Sequence, residues 1–166
     1  MKRRLLTALS ATTFVLVSCG GTNYAEEWVG ISNDATCALA EAERFFSRDD
    51  VNNVDSEEDF APLMEEFQTV TASVNSTMKQ VMGDMAAVEW PDEVADDIDD
   101  FFQEASTVAS LFGSLSSADS YEEIFGIMMR SDTPTFTAAN IIKAKLGVDE
   151  DLLVSDNQDL FNELCN

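Results

Sequence analysis

Eleven large apolar side chains between Phe60 and Val88 recur at spacings of three and four: Phe60, Leu63, Met64, Phe67, Val70, Val74, Met78, Val81, Met82, Met85 and Val88. At 100° per residue they fall within a stripe of about 120°, the width of a helix face that turns towards a core. A strand cannot use this pattern, because period-two geometry would throw half of these side chains into water. The stripe therefore commits the centre of the chain to one long helix, and a lone helix with such a face must find helical partners to cover it. Asp59 is the expected N-cap, placing Pro62 in the first turn where its missing N–H costs nothing, with Ser56 as a competing cap. Pro91 ends the helix by Trp90. The expected length is about 45 Å at 1.5 Å per residue.

The partners are legible on either side. Pro91 is expected to open the next helix, with Asp92 and Glu93 complementing its dipole and an apolar stripe running from Val94 through Ile98, Phe101, Phe102, Ala105, Val108, Ala109 and Phe112 to Leu115. The short Trp90-Pro91 connection makes these two helices antiparallel neighbours. Upstream, a stripe from Tyr24 through Trp28, Ile31, Ala35, Ala38, Leu39, Ala42, Phe45 and Phe46 predicts a first helix, with Gly30 and Asn33 as points where it is interrupted and Asn33 as its secure start. Shorter elements follow. Ser120 to Glu123 has capping-box spacing and leads into Ile124, Phe125 and Met128, expected inward. Thr133-Pro134 begins another helix carrying Phe136, Ile141, Ile142 and Leu146, with Gly147 as its C-terminal cap. Ser155 to Gln158 is a further capping box before Leu160, Phe161, Leu164 and Cys165. The expected fold is all-α: an antiparallel bundle of three longer helices plus short C-terminal ones.

The first 20 residues have a different character. Lys2, Arg3 and Arg4 precede Leu5 to Val17, which carries no charge and is too short and too rich in Ser and Thr for a membrane-spanning helix. The run ends Leu16-Val17-Ser18-Cys19-Gly20, which resembles the lipobox of bacterial lipoproteins. That resemblance implies a diacylglyceryl group with palmitate-type chains on the Cys19 thiol, cleavage between Ser18 and Cys19, acylation of the new amine in many bacteria, and a chain held at the cell membrane or outer membrane on the extracytoplasmic side. It divides the chain into a removed signal peptide, 1–18, a lipidated N-terminus and short tether, 19–32, and a single helical domain, 33–166.

Charge then narrows function. The chain holds 32 acidic residues against 9 Lys and Arg, a formal charge of −23, and loss of the leader with its three cations would take this to −26. Nucleic acid is excluded as a partner, since nothing here neutralises phosphates. A solvated surface or attraction of cations or of a basic partner remains. With no histidine, the usual serine and cysteine triads cannot be assembled. Ser76 and Lys79 match a Ser-x-x-Lys spacing but fall on the polar face of the long helix without companion motifs. Met78, Met82 and Met85 resemble a thioether cluster for Cu(I), yet they share the core stripe. Asp49 to Asp59 lacks the glycine and ligand spacing of a calcium loop. Asp92, Asp96, Asp99 and Asp100, within the dense acidic stretch ending at Glu104, are the candidates for a hard cation held by oxygen ligands, set against a solvated face.

Cys37 and Cys165 remain once Cys19 is assigned, and in an oxidising compartment such a pair reads as a disulfide. Cys37 lies off the apolar stripe, among Asn33, Ala40, Glu41 and Arg44, so the tail bearing Cys165 must reach the second side of the first helix. No cofactor and no enzymatic activity are expected. The sequence points to a lipid-anchored helical binding or interaction protein of the envelope, with divalent-cation binding as the alternative.

Overall fold

The computed structural model describes residues 23–131, 136–155 and 157–165. The leader, Cys19 and the Thr133-Pro134 helix start lie outside these. The described residues form eight helices: α1 (Tyr24–Phe46), α2 (Asp49–Asn52), α3 (Glu57–Phe60), α4 (Met64–Ala87), α5 (Ala95–Ser116), α6 (Tyr121–Arg130), α7 (Thr137–Leu146) and α8 (Gln158–Leu164). Tight 3₁₀ turns occupy Ala61–Leu63 and Glu150–Leu152.

The three long helices, α1, α4 and α5, pack as an antiparallel bundle, and α7 closes the ring by packing on both α5 and α1. Direction follows from side-chain contacts. Phe45 near the end of α1 meets Phe67 at the start of α4, so those helices run oppositely. Glu104 meets the first residues of α7 and Asp97 meets Lys145 near its end, so α5 and α7 run oppositely too. The core is the set of facing stripes: Phe67, Val74, Met78, Val81 and Met85 from α4, Ile98, Phe101, Ala105 and Val108 from α5, and Trp28, Ile31, Ala35 and Phe45 from α1, all buried. Met78 and Met85 are fully enclosed core residues and Met82 packs against the same cluster.

Helix starts differ from expectation where a side chain has a competing bond. α1 begins at Tyr24, capped by Asn23, and passes through Gly30 and Asn33 without a break. Residues 24–32 are therefore part of the packed body rather than tether. The reason is Trp28, 1 % exposed, whose ring lies edge-on to Phe101 at 5.2 Å and to Trp90 at 6.3 Å. Burial of a large apolar side chain stabilises by about 1.5–3 kcal/mol, more than enough to carry a helix through one glycine.

Ser56, not Asp59, caps the helical run that leads into α4. Its hydroxyl accepts from the Asp59 amide and donates to the Asp59 carboxylate. Pro62 then falls in the 3₁₀ turn, which divides the expected single helix into α3 and α4. At the other end α4 stops at Ala87, and Pro91 to Val94 form a turn before α5, so Pro91 does not open that helix. Trp90 folds back instead, its indole N–H donating to the Met85 carbonyl at 2.9 Å. The Ser120 cap and the Gly147 cap form as expected, Gly147 in left-handed geometry at φ 63°. Asn157 rather than Ser155 caps α8, accepting from the Asp159 and Leu160 amides.

Candidate functional site

Cys37 and Cys165 are joined by a disulfide, and the strap it fixes lies on the second side of α1. Three side chains one helical turn or two apart hold it. The Asn33 amide donates to the Leu152 carbonyl and its oxygen accepts from the Val154 amide, both at 3.0 Å, so a side chain stands in for a peptide partner. Cys37 carries the covalent link. Arg44 donates to the Cys165 carbonyl and lies over the Phe161 ring at 5.6 Å. Between this strap and α4 runs an open cleft of about 680 Å³ with the disulfide on its wall. Arg44 and Glu41 in it are already engaged, the first by the strap and the second by Ser73.

The acidic stretch at the start of α5 does not gather into a cage. Asp92 falls in the turn before the helix, while Asp96, Asp99 and Asp100 are exposed on α5. Among the described residues no group of three or more Cys, Asp or Glu side chains is placed to hold a metal ion. Two other acids of the stretch, Asp97 and Glu104, are occupied structurally. Asp97 pairs with Lys145, which also donates to the Glu93 carbonyl. The Glu104 carboxylate accepts from the Thr137 and Ala138 amides at 3.1–3.4 Å, capping α7 from a neighbouring helix. Ser76 and Lys79 both lie exposed on α4.

The feature that sequence reasoning missed lies at the end of the bundle where α1 finishes and α4 begins. Here α6 is pinned by Tyr121, whose amide donates to Glu57 at 2.8 Å and whose hydroxyl donates to the Val54 carbonyl at 3.3 Å. Its ring packs on Phe60 at 5.6 Å, and Phe60 packs on Phe67 at 5.4 Å. Ile124 plugs the core. Phe125 and Met128, expected inward, instead face solvent at 54 % and 51 % exposure, with Met129 at 70 %. Phe125 and Met128, together with Phe46, Val51 and Val54, border an apolar groove of about 370 Å³.

None of the residues that line the groove is charged, but exposed acids stand close to them in the sequence. Asp49 and Asp50 precede Val51, Asp55 follows Val54, Glu58 precedes Phe60 and Glu122 follows Tyr121, all exposed. Arg48 bonds Asp50 and Glu66 and lies 5.2 Å from the centre of the Phe45 ring, while the exposed Arg130 shares an adjoining hollow with Phe125, Glu122 and Glu123. Those hydrogen bonds raise the Arg48 pKa beyond its already high value, and the Arg48 hydrogen bond holds the Asp50 carboxyl below its ordinary range. The positive charge of Arg48 is thus internally balanced. The only sequence signal for this surface was that α6 is apolar on more than one face.

Compared with protein-family models, with curated proteins and with solved structures, the chain has no match.

Proposed function

We propose that this chain is a non-enzymatic interaction module of the bacterial cell envelope, tethered by lipid on Cys19 and offering the α6 groove to a protein partner. The observation that carries this is that Phe125 and Met128, both more than half exposed on α6, line an open apolar groove. Single exposed apolar residues are ordinary, but a contiguous patch rimmed by polar groups marks an interaction surface. Lipid on Cys19 would leave Gly20 to Asn23 before α1, a span of at most about 13 Å when extended, so the body would stay close to the membrane. From there α1 runs about 34 Å to Phe46, which puts the groove at the end of that helix farthest from the anchor.

Two linked measurements test the proposal. Cells fed a labelled fatty acid should label the wild-type chain and not Cys19→Ala. The labelled protein, purified from detergent-solubilised envelopes, should bring envelope proteins with it. Label that persists in Cys19→Ala would remove the anchor, and purification of the chain alone at native expression would remove the interaction role.

A further inference from the structure

We propose that the Cys37–Cys165 disulfide is a redox switch for α8: a dithiol reduces it through the open cleft between the strap and α4, and α8 then leaves α1 while the bundle stays folded. The switch is independent of the interaction role above. It follows from the unequal strength with which the two parts of the strap are attached. The base is secure. Leu153 and Val154 are buried, Asn33 bonds the backbone of Leu152 and Val154, and the Asn157 amide donates to the Leu153 carbonyl at 3.0 Å. Beyond it, α8 has seven residues and none of them is buried. Isolated helices shorter than about 12 residues are marginal in water, so α8 depends on being docked. Its end is docked on α1 by the disulfide and by Arg44, which donates to the Cys165 carbonyl at 2.6 Å and lies over the Phe161 ring. Arg44 is exposed, and a hydrogen bond and a ring contact in water stabilise only modestly. The S–S bond is therefore the strong tie on α8. The separation of 128 residues that it closes matters to the unfolded chain; in the folded body the Asn33 bonds already bring the tail back to α1.

Access is the second requirement, because exchange begins with attack of a thiolate on one of the two sulfurs. Cys37 and Cys165 both line the cleft of about 680 Å³, and both are only partly buried. One thiolate of the dithiol bonds to one sulfur of the pair and expels the other as a thiolate. The second thiolate of the dithiol then attacks its own partner sulfur in the mixed disulfide, closes the dithiol to a disulfide and expels the remaining cysteine. Two electrons and two protons pass from the dithiol to the protein. Leu164 and Cys165 are part of the cleft lining, so departure of α8 opens the polar surface of Asp34, Glu41, Ser73, Thr77 and Gln80 between α1 and α4, and removes the carbonyl that Arg44 holds.

The test treats the purified mature chain with dithiothreitol, without denaturant. Alkylation and mass spectrometry count the reduced cysteines, and hydrogen exchange follows each helix. Cys37 and Cys165 should become alkylatable at a rate that does not change with urea below the unfolding transition, because attack through the cleft exposes little new surface. Exchange in α8 should then rise about tenfold or more, while α4, α5 and the Val154 amide keep their protection within about twofold, the mark of a local rather than a global opening. Re-oxidation should restore α8. Cys37→Ser with Cys165→Ser should show the reduced pattern with no reductant present. Reduction that occurs only once urea unfolds the bundle would overturn the proposal and make the bond a staple of the core. Protection lost throughout the bundle on reduction would also overturn it, as would α8 protection unchanged after both cysteines are alkylated.

Discussion

Asn33 is the side chain on which the attachment of the C-terminal strap most sharply depends. It is 9 % exposed, and its two bonds to the 152–154 backbone are both 3.0 Å. In Asn33→Ala both vanish. The Val154 amide is then left buried without a partner, whereas the Leu152 carbonyl belongs to a half-exposed residue that water can reach. An orphaned buried donor costs about 1–3 kcal/mol and the second lost bond about 1, so we expect a loss of about 2–4 kcal/mol. Urea unfolding should show a lowered midpoint at unchanged slope, and hydrogen exchange at Val154 should accelerate. Asn33→Asp separates the two bonds, because it keeps the acceptor for Val154 and loses the donor. At neutral pH the new carboxylate faces the Leu152 carbonyl oxygen, and burial compounds the repulsion. Protonation restores a donor, so the folded-state pKa of this carboxyl should rise above its unfolded value of about 4. A raised folded pKa gives stability that is present below the unfolded value and lost as pH rises through the folded one. The deficit of Asn33→Asp relative to wild type should therefore be smallest in acid and widen as pH rises above about 4. A loss under about 0.5 kcal/mol for Asn33→Ala, or a pH-independent deficit for Asn33→Asp, would refute this account of the strap.

The Cys37–Cys165 link spans 128 residues, so its removal in a double serine variant should cost up to about 5 kcal/mol by chain entropy, read as a lowered urea midpoint. Non-reducing peptide maps of exported protein should recover the two cysteines as one cross-linked pair. Glu104→Gln should lower the melting temperature by the equivalent of about 1 kcal/mol, because it weakens the cap on α7, while Asp99→Asn with Asp100→Asn, exposed beyond the first turn of α5, should leave it unchanged or raise it. Added NaCl should raise the melting temperature gradually by screening, and CaCl₂ at equal ionic strength should add little; a saturating response to low calcium, abolished by Asp96→Asn with Asp100→Asn, would restore the cation-binding alternative.

The long stripes were legible because each is repeated over many turns: Phe67, Val74, Met78, Val81 and Met85 can share one side of a rod only if that side is covered. The off-stripe position of Cys37 correctly placed the C-terminal strap on the second side of α1, since a disulfide demands proximity that the apolar pattern does not provide. The boundaries were less legible. Pro91 is compatible both with a helix start and with a turn, and the choice is made by Trp90 reaching back to the Met85 carbonyl, a contact no local pattern reveals. Asn33 read as an interruption because it is polar at the edge of an apolar stripe; its partners are more than a hundred residues away in sequence. For α6 the limit is of another kind. Periodicity reports that a face is apolar, not that another element covers it, and α6 buries Ile124 while leaving Phe125 and Met128 uncovered.

The acids themselves divide into two populations that sequence cannot separate. A chain with 32 carboxylates and 9 cations has too few opposite charges for pairing, and helix N-termini, each equivalent to about half a positive charge, supply part of the deficit. Glu104 caps α7 from α5, Glu57 accepts from the first amide of α6, Glu123 accepts from the Asp119 amide before it, and Asp149 accepts from Asp151 at the start of a 3₁₀ turn. Two of these join elements distant in sequence, so the carboxylates act as tertiary clamps where a richer chain would use Lys or Arg. The exposed carboxylates of Asp99 and Asp100, beyond the first turn of α5, contribute mutual repulsion instead. Net charge alone thus misstates the electrostatics of this fold: acids such as Glu104 and Glu57 hold it together because they are aimed at backbone amides.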